Sequence, residues 1–205
     1  MGLDITVVMA DWGRLGRIPA AERRQVLDDA VWPDPCCDAC WNAALDAPRG
    51  WTWPPGRAEP WCAEYRFLGT TGSYGWHVRL GNLWDDLRDT AAPGLREALD
   101  TFAGGLFWPG PDGERTIAPD FPDDPTPWTR EPLLLAPPRT VAALADAWRR
   151  AEPGLESLRA PFETRCAAEP GRPESFDASL ALLREWSAVT AEAARRGWGL
   201  IGLPY

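Results

Sequence analysis

The segment WCAEYRFLGTTGSYGWHVRL, residues 61–80, contains two stretches in which aromatic and polar side chains alternate, joined by glycines and threonines. Alternation with a period of two residues is typical of a strand with one buried face. The sequence therefore predicts a central antiparallel hairpin over about residues 61–80. Its aromatic side chains would share one face, and its polar side chains would share the other.

The polar face of this predicted hairpin contains His77, the single histidine of the chain. Two registers keep the aromatic residues together, because a shift by one residue moves every side chain to the other face. One register places Glu64 opposite His77. The other places Arg66 opposite His77 and Glu64 opposite Arg79. In both registers the histidine lies near one carboxylate and two guanidinium groups.

The rest of the chain predicts strands near its two ends and helices between them. Alternating apolar residues indicate a strand in the middle of the sheet over about 3–10, and short apolar runs indicate strands at 133–136 and 198–203. The clearest helical pattern runs from about 175 to 196. Proline or capping residues predict further helix starts at Pro19, Asn82, Pro93 and Thr140.

These elements together predict an α+β fold. The expected architecture is a small mixed β-sheet with helices packed mainly on one face and long proline-rich loops. The length of 205 residues and the 45% hydrophobic content match one globular domain that spans residues 1–205.

Charge and hydropathy restrict the partners. The net charge of −9 repels phosphate backbones and anionic lipid headgroups. No apolar run reaches the roughly 20 residues of a membrane span, and the first residues lack the pattern of a signal peptide. We therefore expect a cytoplasmic protein that binds a small molecule or a protein partner, with no nucleic-acid or membrane partner.

The hairpin residues suggest one catalytic arrangement. His77 has the chemistry of a general base and Glu64 that of the carboxylate that orients it, while Arg66 or Arg79 could hold an anionic substrate group. Tyr74 is a further candidate for ligand binding. Cross-strand charge pairs also stabilise an ordinary solvated strand face. Since no nucleophile motif accompanies the histidine, the structural interpretation is favoured over the catalytic one.

The cysteines allow one metal site. Cys36, Cys37 and Cys40 lie close together in the sequence, and Cys62 could supply a fourth thiolate. Zinc prefers four such ligands in a tetrahedron, usually from two closely spaced pairs, and the second pair is missing here. A structural zinc site is one prediction from these cysteines, and no other cofactor is expected. The alternative is that these cysteines are small packing residues.

The chain contains 13 tryptophans, and several of them do not fit the predicted helix and strand faces. Exposed aromatic residues in loops can anchor a ligand or a protein partner, but they can also pack back onto the core. The leading functional prediction is a non-catalytic accessory protein that binds through the proline-rich loops at 47–60 and 107–131. The tryptophans concerned are Trp51, Trp53, Trp108 and Trp128.

Two parts of the chain resemble known groups of proteins. The opening MGLDITV with the following DW, and the segment YRFLGTTGSYGWHVRLGNLWDDL, resemble uncharacterised proteins of high-GC bacteria. The C-terminal part, from LLLAPPRTVAALADAW to LREWSAVTAEAARRGWGLI, is similar in pattern to the YfbM-like family. Neither group has an established activity, so the resemblance implies no function and no site residue.

Overall fold

The computed structural model of the chain describes residues 4–31, 50–54, 60–67, 69–111, 113, 132–166 and 175–204. These residues contain five strands: β1 (Ile5–Ala10), β2 (Gly50–Thr52), β3 (Cys62–Arg66), β4 (Leu134–Ala136) and β5 (Gly199–Pro204). The strands form one sheet in the order β2-β3-β1-β5-β4. With the helices given below, this arrangement confirms the predicted α+β class.

The strand β1 lies at the centre of the sheet, as predicted, and all six of its residues are buried. Val7 lies opposite Tyr65 of β3, and Val8 lies opposite Glu64. Because successive side chains of a strand point to opposite faces, these two pairs define the two faces of the sheet. We call the face of Val7 and Tyr65 the first face and that of Val8 and Glu64 the second face.

Two short helices cover the second face, α1 (Trp12–Gly16) and α2 (Arg23–Val31). Leu15 and Leu27 pack with Val8 in the smaller of two hydrophobic cores. The buried guanidinium group of Arg23 donates hydrogen bonds to the carbonyl oxygens of Leu15 at 3.2 Å and Gly16 at 3.4 Å. These bonds attach α2 to the end of α1.

Five helices pack in the larger core, which includes the first face of the sheet. The longest of them, Phe176–Arg196, agrees with the predicted range of about 175–196. Ser175 caps its start by accepting a hydrogen bond from the Ala178 N–H at 3.1 Å, and Gly197 ends it with φ at 66°. A 3-10 helix, Glu152–Leu158, joins the helix that ends at Ala151 to the helix that begins at Arg159. The five are α3 (Tyr74–Leu87), α4 (Pro93–Gly104), α5 (Pro138–Ala151), α6 (Arg159–Cys166) and α7 (Phe176–Arg196).

The predicted hairpin over residues 61–80 is wrong in its second half. Its first arm is β3, but the neighbours of β3 are β1 and β2. Residues 69–72 form a 3-10 helix, and the second arm belongs to α3. The buried residues of α3 recur at spacings of three and four, which is the period of a helix: His77, Leu80, Gly81, Leu83, Trp84 and Leu87.

Three further expectations need correction or fall outside the described residues. Asn82 does not begin a helix, because it lies exposed in the middle of α3. The sheet is not mixed, since every pairing between the described strands is antiparallel. Most of the proline-rich segments at 47–60 and 107–131 lies outside the described residues. None of the described helices has the length and apolar character needed to cross a membrane.

Gly199 provides a test of the packing between α1 and β5. A Cβ atom at this position would overlap the ring of Trp12 and lie 2.9 Å from the carbonyl oxygen of Ala136. We expect Gly199→Ala to lower the free energy of unfolding by about 1–3 kcal/mol, measured by urea denaturation. The matched control is Gly94→Ala in α4, where a Cβ atom meets no other atom within 4 Å. The control should stabilise the protein slightly, and equal effects of the two substitutions would contradict this packing.

Candidate functional site

His77 lies in the first turn of α3 and is completely buried, at 0% exposure. The indole Nε1 of Trp186 donates a hydrogen bond to its Nδ1 at 2.9 Å. Its Nε2 lies 2.7 Å from the carbonyl oxygen of Thr71. An indole N–H only donates and a carbonyl only accepts. The two bonds therefore assign the neutral imidazole with its proton on Nε2.

Aromatic rings surround this imidazole. The ring centroids of Phe67 and Trp186 lie 5.0 Å and 5.6 Å from that of His77, both with nearly perpendicular planes. Tyr74, predicted to bind a ligand, stacks on the imidazole at 6.1 Å and is half-buried. Burial lowers the pKa of His77 to about 4, and the hydrogen bond to Thr71 offsets part of this change.

This environment does not suit a general base. A general base needs an accessible lone pair and a pKa near the working pH. The Nδ1 lone pair of His77 already accepts the Trp186 N–H, and the low pKa makes proton uptake unfavourable near neutral pH. The structure instead makes His77 a buried connection between α3 and α7.

The structure does not bring His77 and Glu64 together. Glu64 lies on the second face of the sheet, opposite Val8, whereas His77 packs in the larger core with residues of the first face. Arg79 is exposed on α3, with its guanidinium carbon 5.7 Å from the ring of Trp76. The predicted cluster of one histidine, one carboxylate and two arginines is therefore wrong, because it depended on the second arm being a strand.

Glu64 and Arg66 do meet, as neighbours on the same face of β3. Glu64 is 2% exposed, and its Oε1 accepts a hydrogen bond from Arg66 Nε at 3.0 Å. Burial raises the pKa of Glu64, while the hydrogen bond and charge of Arg66 oppose that change. No described residue donates to the buried Oε2 atom.

The three described tryptophans of the proline-rich segments pack onto the fold. Trp51 contacts Tyr65 edge to face at 5.1 Å, and Trp108 is 4% exposed. The ring of Trp53 lies 4.2 Å from the guanidinium carbon of Arg196. Trp128 lies outside the described residues. Trp108 is thus part of the larger core, while Trp51 and Trp53 are half-buried and pack against it.

The predicted zinc site falls mainly outside the described residues. Cys36, Cys37 and Cys40 belong to the part of the chain that is not described, and Cys62 is buried in the smaller core. Within the described ranges, no group of three or more histidine, cysteine, aspartate or glutamate side chains is placed to hold a metal ion. The zinc site thus stays a prediction.

An apolar cavity of about 50 Å³ lies between α3, α4, α6, α7 and the 3-10 helix Glu152–Leu158. Leu183 of α7 is half-buried, so the cavity approaches solvent beside this helix. The other lining residues are buried. Leucine side chains form most of the wall, among them Leu83, Leu87, Leu99, Leu158, Leu180 and Leu183.

Two residues in the cavity wall carry side-chain polar groups, and both groups bond elsewhere. The hydroxyl of Ser179 donates to the carbonyl oxygen of Ser175 at 3.2 Å. The indole N–H of Trp84 donates to Asp100 Oδ1 at 3.0 Å, and Arg88 holds the same carboxylate with both Nε and Nη2 at 2.8 Å. The cavity therefore offers no side-chain hydrogen-bonding group to an occupant.

Sequence reasoning missed both the cavity and the partner of His77. Helical periodicity indicates which side chains face inward, but it does not show which inward side chains leave space between them. A helix predicted over residues 74–87 would have identified the buried side of α3. It would also have placed His77 on that buried side.

No protein-family model matches the chain, and neither the curated proteins nor the solved structures contain a significant match to it. The resemblance to the YfbM-like family therefore stays a prediction.

Proposed function

We propose that the chain is a non-catalytic binding protein whose apolar cavity takes up an apolar group of a small ligand. The observation that carries this proposal is the cavity between α3, α4, α6 and α7, whose wall presents no side-chain hydrogen-bonding group. Catalysis at His77 has no comparable support, because that side chain is buried with both ring nitrogens bonded.

The energetics favour an apolar occupant. A cavity without polar groups does not hold water well, since water needs two to four hydrogen-bond partners. At about 24 cal/mol per Å³, a space of this size destabilises the fold by about 1 kcal/mol relative to a filled core. An occupant recovers this free energy and gains about 0.8 kcal/mol for each of its own buried methylene groups.

The volume limits the size of the bound group. A cavity of roughly 150 Å³ holds benzene, whereas water occupies about 30 Å³ in the liquid. The 50 Å³ space therefore suits the end of an alkyl chain, or an atom such as xenon, better than an aromatic ring. A larger ligand requires movement of Leu183 at the solvent side.

We include a cytoplasmic location and a small-molecule rather than a nucleic-acid ligand in this proposal. The net charge of −9 supports the second point, because it repels polyanions. An uncharged apolar group experiences no such repulsion.

Xenon titration followed by 129Xe NMR tests the proposal. We expect saturable binding to the native protein and about tenfold weaker binding to Leu180→Phe, which corresponds to about 1.4 kcal/mol, because the larger ring fills the cavity. The matched control is Leu135→Phe on β4, which does not line the cavity. This control should bind xenon like the native protein. Absence of saturable binding, or equal binding by Leu180→Phe, would contradict the proposal.

A further inference from the structure

A separate polar feature lies at Glu64, on the second face of the sheet. Its side chain is 2% exposed, and its Oε2 atom is buried with no donor among the described residues. We propose that this oxygen binds the hydroxyl or amide N–H group of an uncharged small ligand. The feature is independent of the apolar cavity, because the cavity lies among helices of the larger core and Glu64 lies on the opposite face of the sheet.

The carboxylate is already oriented to accept such a bond. Arg66 Nε holds Oε1 at 3.0 Å, which leaves Oε2 as the remaining acceptor. Buried polar atoms in folded proteins almost always have a hydrogen-bond partner, because an unmade bond leaves the cost of desolvation uncompensated. A donor from a ligand would supply the missing partner and would displace no described hydrogen bond.

A second polar side chain lies on the same face of the sheet as Glu64. Thr52 of β2 is directly opposite Glu64 in the strand register, so the two side chains share the second face. Thr52 is half-buried, and its hydroxyl forms no hydrogen bond within the described residues. The strand β2 is the last described strand on this side of the sheet, so the Thr52 and Glu64 pair lies at its edge. A ligand with one donor and one acceptor fits this pair.

Charge favours an uncharged ligand at this position. Glu64 and Arg66 form an ion pair at 3.0 Å, so their charges already compensate each other. A cation at Oε2 would add an uncompensated charge to a buried site, and an anion would approach a carboxylate. A primary amide or an alcohol supplies the donor without either cost.

Three molecules of the same shape and different charge test the inference: acetamide, acetate and acetamidinium. At about pH 8 we expect acetamide to cause saturable shifts of the backbone amide NMR signals of β2 and β3. Acetate and acetamidinium should bind at least about tenfold more weakly, because each brings a charge. Equal or tighter binding of acetamidinium would overturn the assignment to an uncharged ligand. Absence of saturable shifts would overturn the site.

Two substitutions identify the contacts. Glu64→Gln directs its amide oxygen to Arg66 and presents an NH2 group in place of Oε2, while Thr52→Val removes the hydroxyl. Each should weaken acetamide binding by at least about threefold. The control Thr164→Val, at an exposed position of α6, should leave acetamide binding unchanged.

Crystals soaked in acetamide complete the test. We expect the amide nitrogen at Oε2. An ordered water at Oε2 that acetamide does not displace would overturn this inference. It would leave the proposed function of the apolar cavity unaffected.

Discussion

Replacement of His77 by alanine is expected to lower the free energy of unfolding by about 4 kcal/mol. The imidazole is completely buried between Phe67 and Trp186, so its removal leaves a cavity in the larger core. The substitution also removes the hydrogen bonds that the imidazole forms with the Trp186 indole N–H and the Thr71 carbonyl oxygen. A buried donor such as the indole N–H costs about 1–3 kcal/mol when it loses its partner. The free energy of unfolding is measured by urea denaturation with tryptophan fluorescence.

Two comparison variants separate the packing from the hydrogen bonds. Phenylalanine at position 77 keeps a ring but forms neither bond, so we expect a smaller loss of about 2 kcal/mol. The matched control is Arg79→Ala, exposed on the same helix, with an expected change within about 0.5 kcal/mol. A loss below about 1 kcal/mol for alanine at position 77 would show that His77 does not connect α3 and α7 in solution.

The helix α7 and the strand β1 could be predicted because several independent sequence features indicate the same structure in each of them. In α7, apolar periodicity continues over 21 residues between a serine cap and a glycine with positive φ. The strand β1 combines β-branched residues with apolar residues on both faces, which agrees with its central position. Periodicity, capping and propensity indicate the same structure in these elements, and the structure confirms them.

The prediction for the central segment was wrong because seven residues are too few to distinguish the two-residue period of a strand from the period of a helix. Between Tyr74 and Leu80, alternating aromatic and polar residues fit a strand, but His77 and Leu80 are also three residues apart, as on a helix face. The longer window to Leu87 decides for the helix, since Trp84 and Leu87 continue that face. The error moved His77 from a buried core to a solvated surface, and the catalytic hypothesis depended on that placement.

The partner of His77 and the apolar cavity could not be predicted from local patterns, because both depend on contacts between residues that are far apart in the sequence. Trp186 and His77 are separated by 109 positions in the chain. The cavity is formed by side chains of four helices and a 3-10 segment, and its volume depends on how closely they approach. Sequence periodicity predicts which side chains face inward. It does not predict the distances between them.

We expect the stability of the protein to fall by about 2 kcal/mol between about pH 7 and about pH 5, with His77 as the cause. Its pKa is lowered to about 4 in the folded protein, whereas an unfolded chain has a histidine pKa of about 6.5. Between these two values the unfolded state binds a proton that the folded state does not bind. The free energy of unfolding therefore decreases as the pH falls, and this contribution is complete only above about pH 6.5.

Because the chain contains a single histidine, one substitution isolates this effect. Phenylalanine at position 77 should abolish the decrease between about pH 6.5 and about pH 5, although it lowers stability at every pH. Glu64 acts in the opposite direction, since a carboxyl group with a raised pKa binds its proton more readily in the folded state. The imidazole C2 proton signal measures the folded pKa directly. A midpoint of about 6.5 would contradict the buried neutral imidazole and, with it, the connection between α3 and α7.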